Sequence, residues 1–266
     1  GIGLKTPNVA VITANYNTSQ YIHKAMGSVG AQMYPKENIH HVICDDASTD
    51  DSIGVILDNM RSGYTEAKLF DYTLYEGESQ WGIKTTLLAL KKNGFQGRAR
   101  NFSIKHIWAW ADAFAILDAD DVKYPNFISR HVEEWLVDPE LLGLIYSDYS
   151  IYNEETGITI REYKHKYDKN HLKHECISSS GCLFSKEAIR KAGLYDEAAS
   201  PAEDYGMALR ISAFFMLKHI SENLWCYRVH NDNSTNEKNT ERIREAHQIM
   251  AQNFNQWLQN PVGYDV

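Results

Sequence analysis

Residues 114–121 read Phe114-Ala115-Ile116-Leu117-Asp118-Ala119-Asp120-Asp121, an apolar run that stops abruptly in three carboxylates. So short and apolar a run reads as a buried strand with its acids at the C-terminal end. In open α/β sheets ligands bind in the crevice beyond the carboxyl ends of the strands, so acids placed there face a cleft. Carboxylates this close repel one another unless a cation lies between them. Oxygen ligands suit a hard divalent ion such as Mg²⁺ or Mn²⁺, which keeps waters and takes a substrate phosphate as well. A purely structural alternative is that an Asp of this turn caps the helix beginning near Pro125. The motif alone does not separate the two.

Upstream, residues 8–13 (NVAVIT) predict a first strand, followed by Ala14-Asn15-Tyr16-Asn17 and a helix through Gln32. Asn17 or Thr18 can cap that helix, with Tyr21, Ile22, Ala25, Met26 and Val29 as its apolar stripe. A second strand over 40–44 also ends in acids, Asp45-Asp46-Ala47-Ser48-Thr49-Asp50-Asp51. Capping of the next helix accounts for the small polar residues of this stretch and leaves Asp46 unexplained. A third strand is expected over 67–74, then a long connection over 75–97 with a helix near 85–92. Gly97-Arg98-Ala99-Arg100-Asn101 opens a helix through Trp110 that leads into the acidic strand. An Arg at a helix start beside such a cleft suits a diphosphate; the alternative for Arg100 is a solvated helix charge. Alternating strands and helices imply parallel pairing with right-handed crossovers. The first strand carries no GxGxxG and the chain no Walker lysine, so neither dinucleotide nor P-loop recognition is indicated.

From residue 141 the pattern changes to strands over 142–146, 149–152 and 158–163, with Asn153-Glu154-Glu155-Thr156-Gly157 as a hairpin turn. His165, His171 and His174 stand at no metal-ligand spacing and read as solvated residues. Gly181 either admits a ligand to the backbone or relieves crowding. Ser200-Pro201-Ala202-Glu203 has the form of a capping box, which gives Glu203 a structural task. Asp204, about 100° further round the helix, shares a face with Met207, Ala208, Ile211 and Phe215 and points inward. A last strand over 218–228 and an amphipathic terminal helix over 240–258 complete the chain.

Composition narrows the partners. With 27 Lys and Arg against 35 Asp and Glu, the formal charge is −8, which argues against a broad nucleic-acid surface. Four scattered cysteines without a CxxC pair suit reduced thiols and a cytoplasmic protein without a zinc site. The chain has no apolar segment of about twenty residues, so no transmembrane segment is expected and any membrane contact is peripheral.

Taken in order, several separated motifs together resemble glycosyltransferase family 2. They are Tyr16-Asn17 after the first strand, the helix end over 28–32, Cys44-Asp45-Asp46-Ala47-Ser48-Thr49-Asp50, Ala99-Arg100-Asn101, Leu117-Asp118-Ala119-Asp120-Asp121, Gly181-Cys182-Leu183-Phe184, Gly193-Leu194-Tyr195-Asp196-Glu197, Glu203-Asp204 and Tyr227-Arg228-Val229-His230. The resemblance implies the α/β GT-A fold, a Rossmann-like, mixed and mainly parallel sheet with an antiparallel acceptor-side half and a C-terminal helix. It implies one domain over 1–266, with a nucleotide-sugar half over 8–140, an acceptor-side half over 141–235 and a helix over 238–259. The implied activity is metal-dependent, inverting transfer from a nucleotide-diphosphosugar to a hydroxyl of a glycan, lipid-linked or protein-linked acceptor. By resemblance Ala14 and Tyr16 line the nucleoside pocket, Asp46 bonds the base, and Asp118, Ala119 and Asp120 hold ribose and metal. A uracil ring offers the N–H that Asp46 would accept, so a UDP-sugar is the expected donor. Gly181 and Glu203 fall on the acceptor side, Asp204 is the expected base, and His230 stands on a lid loop that approaches the Mn²⁺ or Mg²⁺. The long 75–97 connection departs from the commoner pattern. Three other readings compete. Asp118-x-Asp120 also fits a haloacid-dehalogenase-like phosphatase, although that motif usually opens its domain. A glycoside hydrolase uses two carboxylates but needs no diphosphate cleft. A catalytically inactive sugar-nucleotide-binding module is opposed by the joint presence of Asp120, Asp204 and His230.

Overall fold

In the computed structural model, which describes residues 5–60, 63–164, 166–168, 170, 181–198, 202–231, 240–264 and 266, the acid-terminated run becomes strand β6 (Ala113–Ile116), buried throughout. Phe114 and Ile116 enter one apolar core, Ala113 and Ala115 the other. Strand β1 (Val9–Asn15) divides in the same way, with Ala10 and Ile12 on the first side and Val9 and Val11 on the second. Burial on both faces is why these strands read as continuous apolar runs.

Parallel pairing joins β1 to β6 and to β2 (Ile39–Asp45), and β2 to β5 (Lys84–Leu90). Helices α1 (Ile22–Gly30), α2 (Ser52–Asp58) and α4 (Phe127–Trp135) close the second core. The first core is closed by α3 (Gln96–Ile107), α5 (Lys186–Ala192), α6 (Glu203–Ser212) and α7 (Thr240–Gln259). Around the parallel centre stand β3 (Tyr64–Lys68), β4 (Tyr72–Glu78), β7 (Val122–Lys123), β8 (Leu142–Asn153), β9 (Thr159–Glu162), β10 (Cys182–Ser185) and β11 (Met216–Val229). Among the described residues all of these form one sheet in the order β3-β4-β5-β2-β1-β6-β10-β8-β11-β7, with β9 on β8. This is the mixed α/β architecture the motifs implied.

Several local expectations are corrected. The helix near 85–92 is strand β5, whose last six residues are all buried. Wedged between β2 and β4, that run satisfies its backbone on both sides, which a one-faced helix there could not. The single strand over 67–74 is an antiparallel pair, β3 and β4, turned where the Leu69 N–H donates to Tyr72 O at 2.9 Å. The strands over 142–146 and 149–152 merge into β8. The second half is not wholly antiparallel: β10 runs antiparallel to β6 and β8, but β11 runs parallel to β8. Tyr21, not Asn17 or Thr18, stands at the α1 N-cap position, with no side-chain cap. His165, His171, His174, Cys176, Ser200 and Pro201 lie outside the described residues. No helix among the described residues is long and apolar enough to cross a membrane.

Gly181 enters β10 flat against the buried Trp225, which itself stacks on Tyr149 at 4.4 Å. A Cβ at Gly181 would lie 2.0 Å from the indole. Of the two readings of this glycine, geometry supplies a reason for crowding relief. Gly181→Ala is expected to lose about 1–3 kcal/mol of stability through overpacking, read as a lower urea midpoint.

Candidate active site

The strand register places the candidate residues on one rim. Asn15 is opposite Asp45, and the Leu117 N–H donates to Ile12 O at 2.9 Å, so the ends of β1, β2 and β6 arrive together. Tyr16, Asp46, Asp118, Ala119 and Asp120 all follow these ends, and Ala14 is the last residue but one of β1. The loop over 45–51 is braced from below. Buried Asp45 accepts from Asn15 Nδ2 at 2.7 Å, Ser48 N at 2.9 Å and Ser48 Oγ at 2.6 Å. Asn17, at φ 50°, accepts from Thr49 N at 2.8 Å and Asp50 N at 3.2 Å. Sequence reasoning gave this stretch to helix capping and missed both braces. The available signal was a pair of short polar side chains that bond turn backbone and, for Asn, tolerate a positive φ.

Asp46 has a structural task after all. It accepts the Gly94 N–H at 2.8 Å and Asn93 Nδ2 at 3.2 Å, tying the start of the α3 approach to the β2 end. Burial pushes its carboxyl up, opposed mainly by the Gly94 bond. Tyr16 is half exposed and Ala14 half-buried.

Arg100 differs from the expected diphosphate ligand. Its side chain is 0% exposed, with Nη2 2.8 Å from Asp118 Oδ1 and Nη1 2.6 Å from Asp204 Oδ1. It is neither solvated nor open to a phosphate. Gln96 Nε2 adds a bond to Asp118 Oδ1 at 2.9 Å. The next residue, Asn101, clamps the Tyr195 backbone on both sides at 2.9 Å. Sequence position placed the guanidinium at the cleft; only packing showed which of its neighbours would claim it.

The Ser200 side of the expected capping box lies outside the described residues. Helix α6 begins at Glu203, with Ala202 at the N-cap and no side-chain cap. Glu203 is therefore at the first helical position, too early to reach back as a box requires. Its side chain is 2% exposed, with Oε1 3.9 Å from Arg100 Nη1 and Oε2 unbonded among the described residues. Burial first, then Asp204, pushes Glu203 up to about 7. Asp204 is also raised by burial, with Arg100 opposing. At 27% side-chain exposure Asp204 is the more open of the two.

Opposite, His230 Nε2 stands 2.8 Å from Asp120 Oδ2 just beyond β11, and its ring stacks on Tyr21 at 4.7 Å. Burial and Asp118 push Asp120 up, opposed by His230. Asp121 does not cap α4, whose N-cap is Asn126; it accepts the Arg228 N–H at 3.1 Å. Lys24, Asp120, Tyr124, Tyr152 and Arg228 line a hollow of about 180 Å³. Sequence reasoning gave no site role to Lys24 or Arg228, which bring positive charge to this hollow from α1 and β11. A larger cavity of about 350 Å³ lies under α7 and contains none of Asp118, Asp120 or Asp204. Residues 232–234 of the expected lid loop lie outside the described residues. Among the described residues no three His, Cys, Asp or Glu side chains gather as a metal cluster.

The family model for glycosyl transferase family 2 matches residues 10–193, more than half of the chain. The chain belongs to glycosyl transferase family 2. An uncharacterized glycosyltransferase of Haemophilus influenzae is 25% identical over 98% of this chain and 77% of its own length. Chondroitin synthase of Pasteurella multocida is 23% identical over 98% of this chain but only 25% of its own length. Among solved structures, a TarS fragment of S. aureus in complex with UDP-GlcNAc aligns at TM-score 0.69 and 15% identity, covering 91% of this chain and 65% of that one. The mannosyltransferase PcManGT of Pyrobaculum calidifontis, in complex with GDP-Man and Mn2+, aligns at 0.68 and 19%, covering 98% and 66%. The chain thus spans about two thirds of each of these structures, and at such identities the likeness carries the fold. Family membership identifies a transferase and sets the phosphatase and glycoside hydrolase readings aside.

Glu203 has a stability signature. A carboxyl raised from 4.5 to about 7 on folding keeps its proton while the unfolded chain loses it. Stability from this group is full below its unfolded value and falls as pH rises through the folded one. Glu203→Gln is expected to gain stability relative to the native protein as pH rises from about 4.5 to 7, in paired urea unfolding curves. A pH-independent difference would contradict this assignment.

Proposed function

We propose that this family 2 protein transfers a sugar from a nucleoside-diphosphate sugar to an acceptor hydroxyl with inversion at the anomeric carbon, and that Asp204 is its base. One observation carries the reading. A donor-side acid, Asp118, and an acid on the facing helix, Asp204, are drawn together by one guanidinium, at 2.8 and 2.6 Å. The two halves of a transfer reaction, leaving group and nucleophile, would then meet across a gap of a few ångströms.

A hydroxyl is a poor nucleophile near neutrality, and a positioned carboxylate that takes its proton during attack contributes about 10²- to 10⁴-fold. Asp204 uses Oδ1 on Arg100 and leaves Oδ2 without a hydrogen bond among the described residues. That oxygen is suited to take the proton. Attack from the face opposite the diphosphate inverts the centre. For the leaving group, Asp120 and His230 offer one carboxylate and one imidazole within hydrogen-bond distance of each other. That set fits a divalent ion whose remaining positions are completed by waters and substrate phosphate. Asp120 and His230 would hold Mn²⁺ or Mg²⁺, which when bound neutralises charge developing on the diphosphate. The PcManGT complex with Mn2+ supports this reading. Lys24 and Arg228, lining the hollow beside Asp120, favour an anionic group there.

For the nucleobase we propose uracil, bonded by Asp46. Each carboxylate oxygen offers about two lone-pair sites, so the bonds from Gly94 and Asn93 leave acceptor capacity. The TarS complex with UDP-GlcNAc accords with that choice. The acceptor is proposed to be a hydroxyl of a glycan, lipid-linked or protein-linked.

Three measurements test this. Thermal unfolding with UDP should show a higher midpoint when Mn²⁺ is added, and that increment should vanish in Asp120→Asn, because only ligands of the native state stabilise it. Asp46→Ala should weaken UDP binding; unchanged affinity would remove the nucleobase assignment. In the transfer assay Asp204→Asn should keep the Mn²⁺-dependent UDP shift and lose roughly 10²-fold or more of turnover. An active Asp204→Asn beside a folded, inactive Glu203→Gln would reverse the choice of base.

A further inference from the structure

The guanidinium of Arg100 sits behind the two acids rather than among the groups that face the cleft. Its side chain is 0% exposed, whereas Asp118 and Asp204 are 24% and 27% exposed. We infer that Arg100 is a positioning residue that fixes the proton-accepting carboxylate relative to the donor-side carboxylate, gripping Asp204 by one oxygen and leaving the other turned to the cleft. This rests on Asp204 being the base.

The argument is one of rigid geometry. A guanidinium is planar, and its two terminal nitrogens keep a fixed separation, so two carboxylates bound to separate nitrogens are held at a set spacing. Here Nη2 takes Asp118 at 2.8 Å and Nη1 takes Asp204 at 2.6 Å. The fork is itself held. Its Cζ lies 5.2 Å from the Tyr195 ring, and Asn101 clamps the Tyr195 backbone through bonds of 2.9 Å. Asp118 is steadied a second time from α3, by Gln96 Nε2 at 2.9 Å. A lysine, with one nitrogen on a flexible stem, cannot reproduce two directed bonds to separate acids.

The charged and titratable groups facing Asp204 are Arg100 from α3, Asp118 beyond β6, Tyr195 after α5 and Glu203 on its own helix. Burial and the Asp118 charge both favour protonated Asp204, and Arg100 is the group that opposes them. An enzyme base has to be ionised before attack, so the same contact that orients Asp204 also keeps it ready. Because Asp118 competes for the same cation, the donor seat and the base are electrostatically linked.

The direct test is a ¹³C NMR titration of the Asp204 side-chain carboxyl in the metal-free protein, which needs no knowledge of the substrate. An adjacent positive charge lowers an Asp by about 1–3 pH units; Arg100→Lys keeps the charge and loses the directed bond, so it should raise the Asp204 midpoint by a fraction of that. Asp118→Asn, which leaves the fork intact and removes its competitor, should move that midpoint down. Arg100→Gln should raise it further if that variant folds; Arg100→Lys and Asp118→Asn decide the matter if it does not. In turnover, the acid limb of the pH profile should move up with the midpoint in Arg100→Lys. A midpoint unmoved in both Arg100→Lys and Asp118→Asn overturns the inference. Failure of the base assignment looks different: the midpoints shift as stated, yet Asp204→Asn still turns over.

Discussion

A guanidinium with no water around it has to be neutralised where it lies, and the arrangement of this cleft follows from how Arg100 meets that requirement. Taking a charge out of solvent costs several kcal/mol unless directed partners replace the lost hydration. Asp118 and Asp204 are those partners, one beyond a central strand and the other on a helix more than a hundred residues later in the chain. The cation therefore joins the parallel centre of the sheet to α6. Glu203, beside it, has one oxygen 3.9 Å from the guanidinium and its other oxygen unbonded among the described residues, which is why burial can raise its carboxyl so far.

The opposite wall is built from contacts of a different kind. His230 leaves β11 to stack on Tyr21 and bond Asp120, and the Arg228 guanidinium lies 5.1 Å from the same Tyr21 ring. Tyr21 in turn donates to Glu154 at 2.8 Å, so the entry to α1, the end of β11 and the β8–β9 turn are joined at one corner. Aromatic faces and charge-assisted bonds supply orientation here without filling the acid pocket. Beneath both walls, Asp45 and Asn17 satisfy loop backbone that would otherwise be left without partners.

Much of this was legible along the chain because it depends on neighbours in sequence. The apolar runs before Asp45 and Asp118 marked buried parallel strands, and acids at their ends marked the rim, since ligands bind beyond the carboxyl ends of such strands. The order of the separated motifs identified the family and the mixed α/β fold. Misreadings clustered where one local pattern serves two structures. Residues 85–92 are apolar enough for either a helix or a buried strand, and only the presence of β2 on one side and β4 on the other decides for β5. Ser200-Pro201-Ala202-Glu203 satisfies the spacing of a capping box, but α6 begins at Glu203, whose side chain turns to the buried Arg100.

By itself, the sequence determined which residues could be at the site: it named Asp118, Asp120, Asp204, Glu203, Arg100 and His230, because strand ends, helix starts and residue chemistry are local properties. Tertiary structure alone decided what each of them touches. Arg100 could be read from the chain as a phosphate ligand or a solvated charge, and became a buried bridge because Asp118 beyond β6 and Asp204 on α6 both reach its guanidinium. Asp46 looked free of structural duty until Asn93 and Gly94, 47 and 48 residues away, closed on it. Partners at such separations are chosen by packing and desolvation, and neither leaves a periodic trace in the amino-acid order.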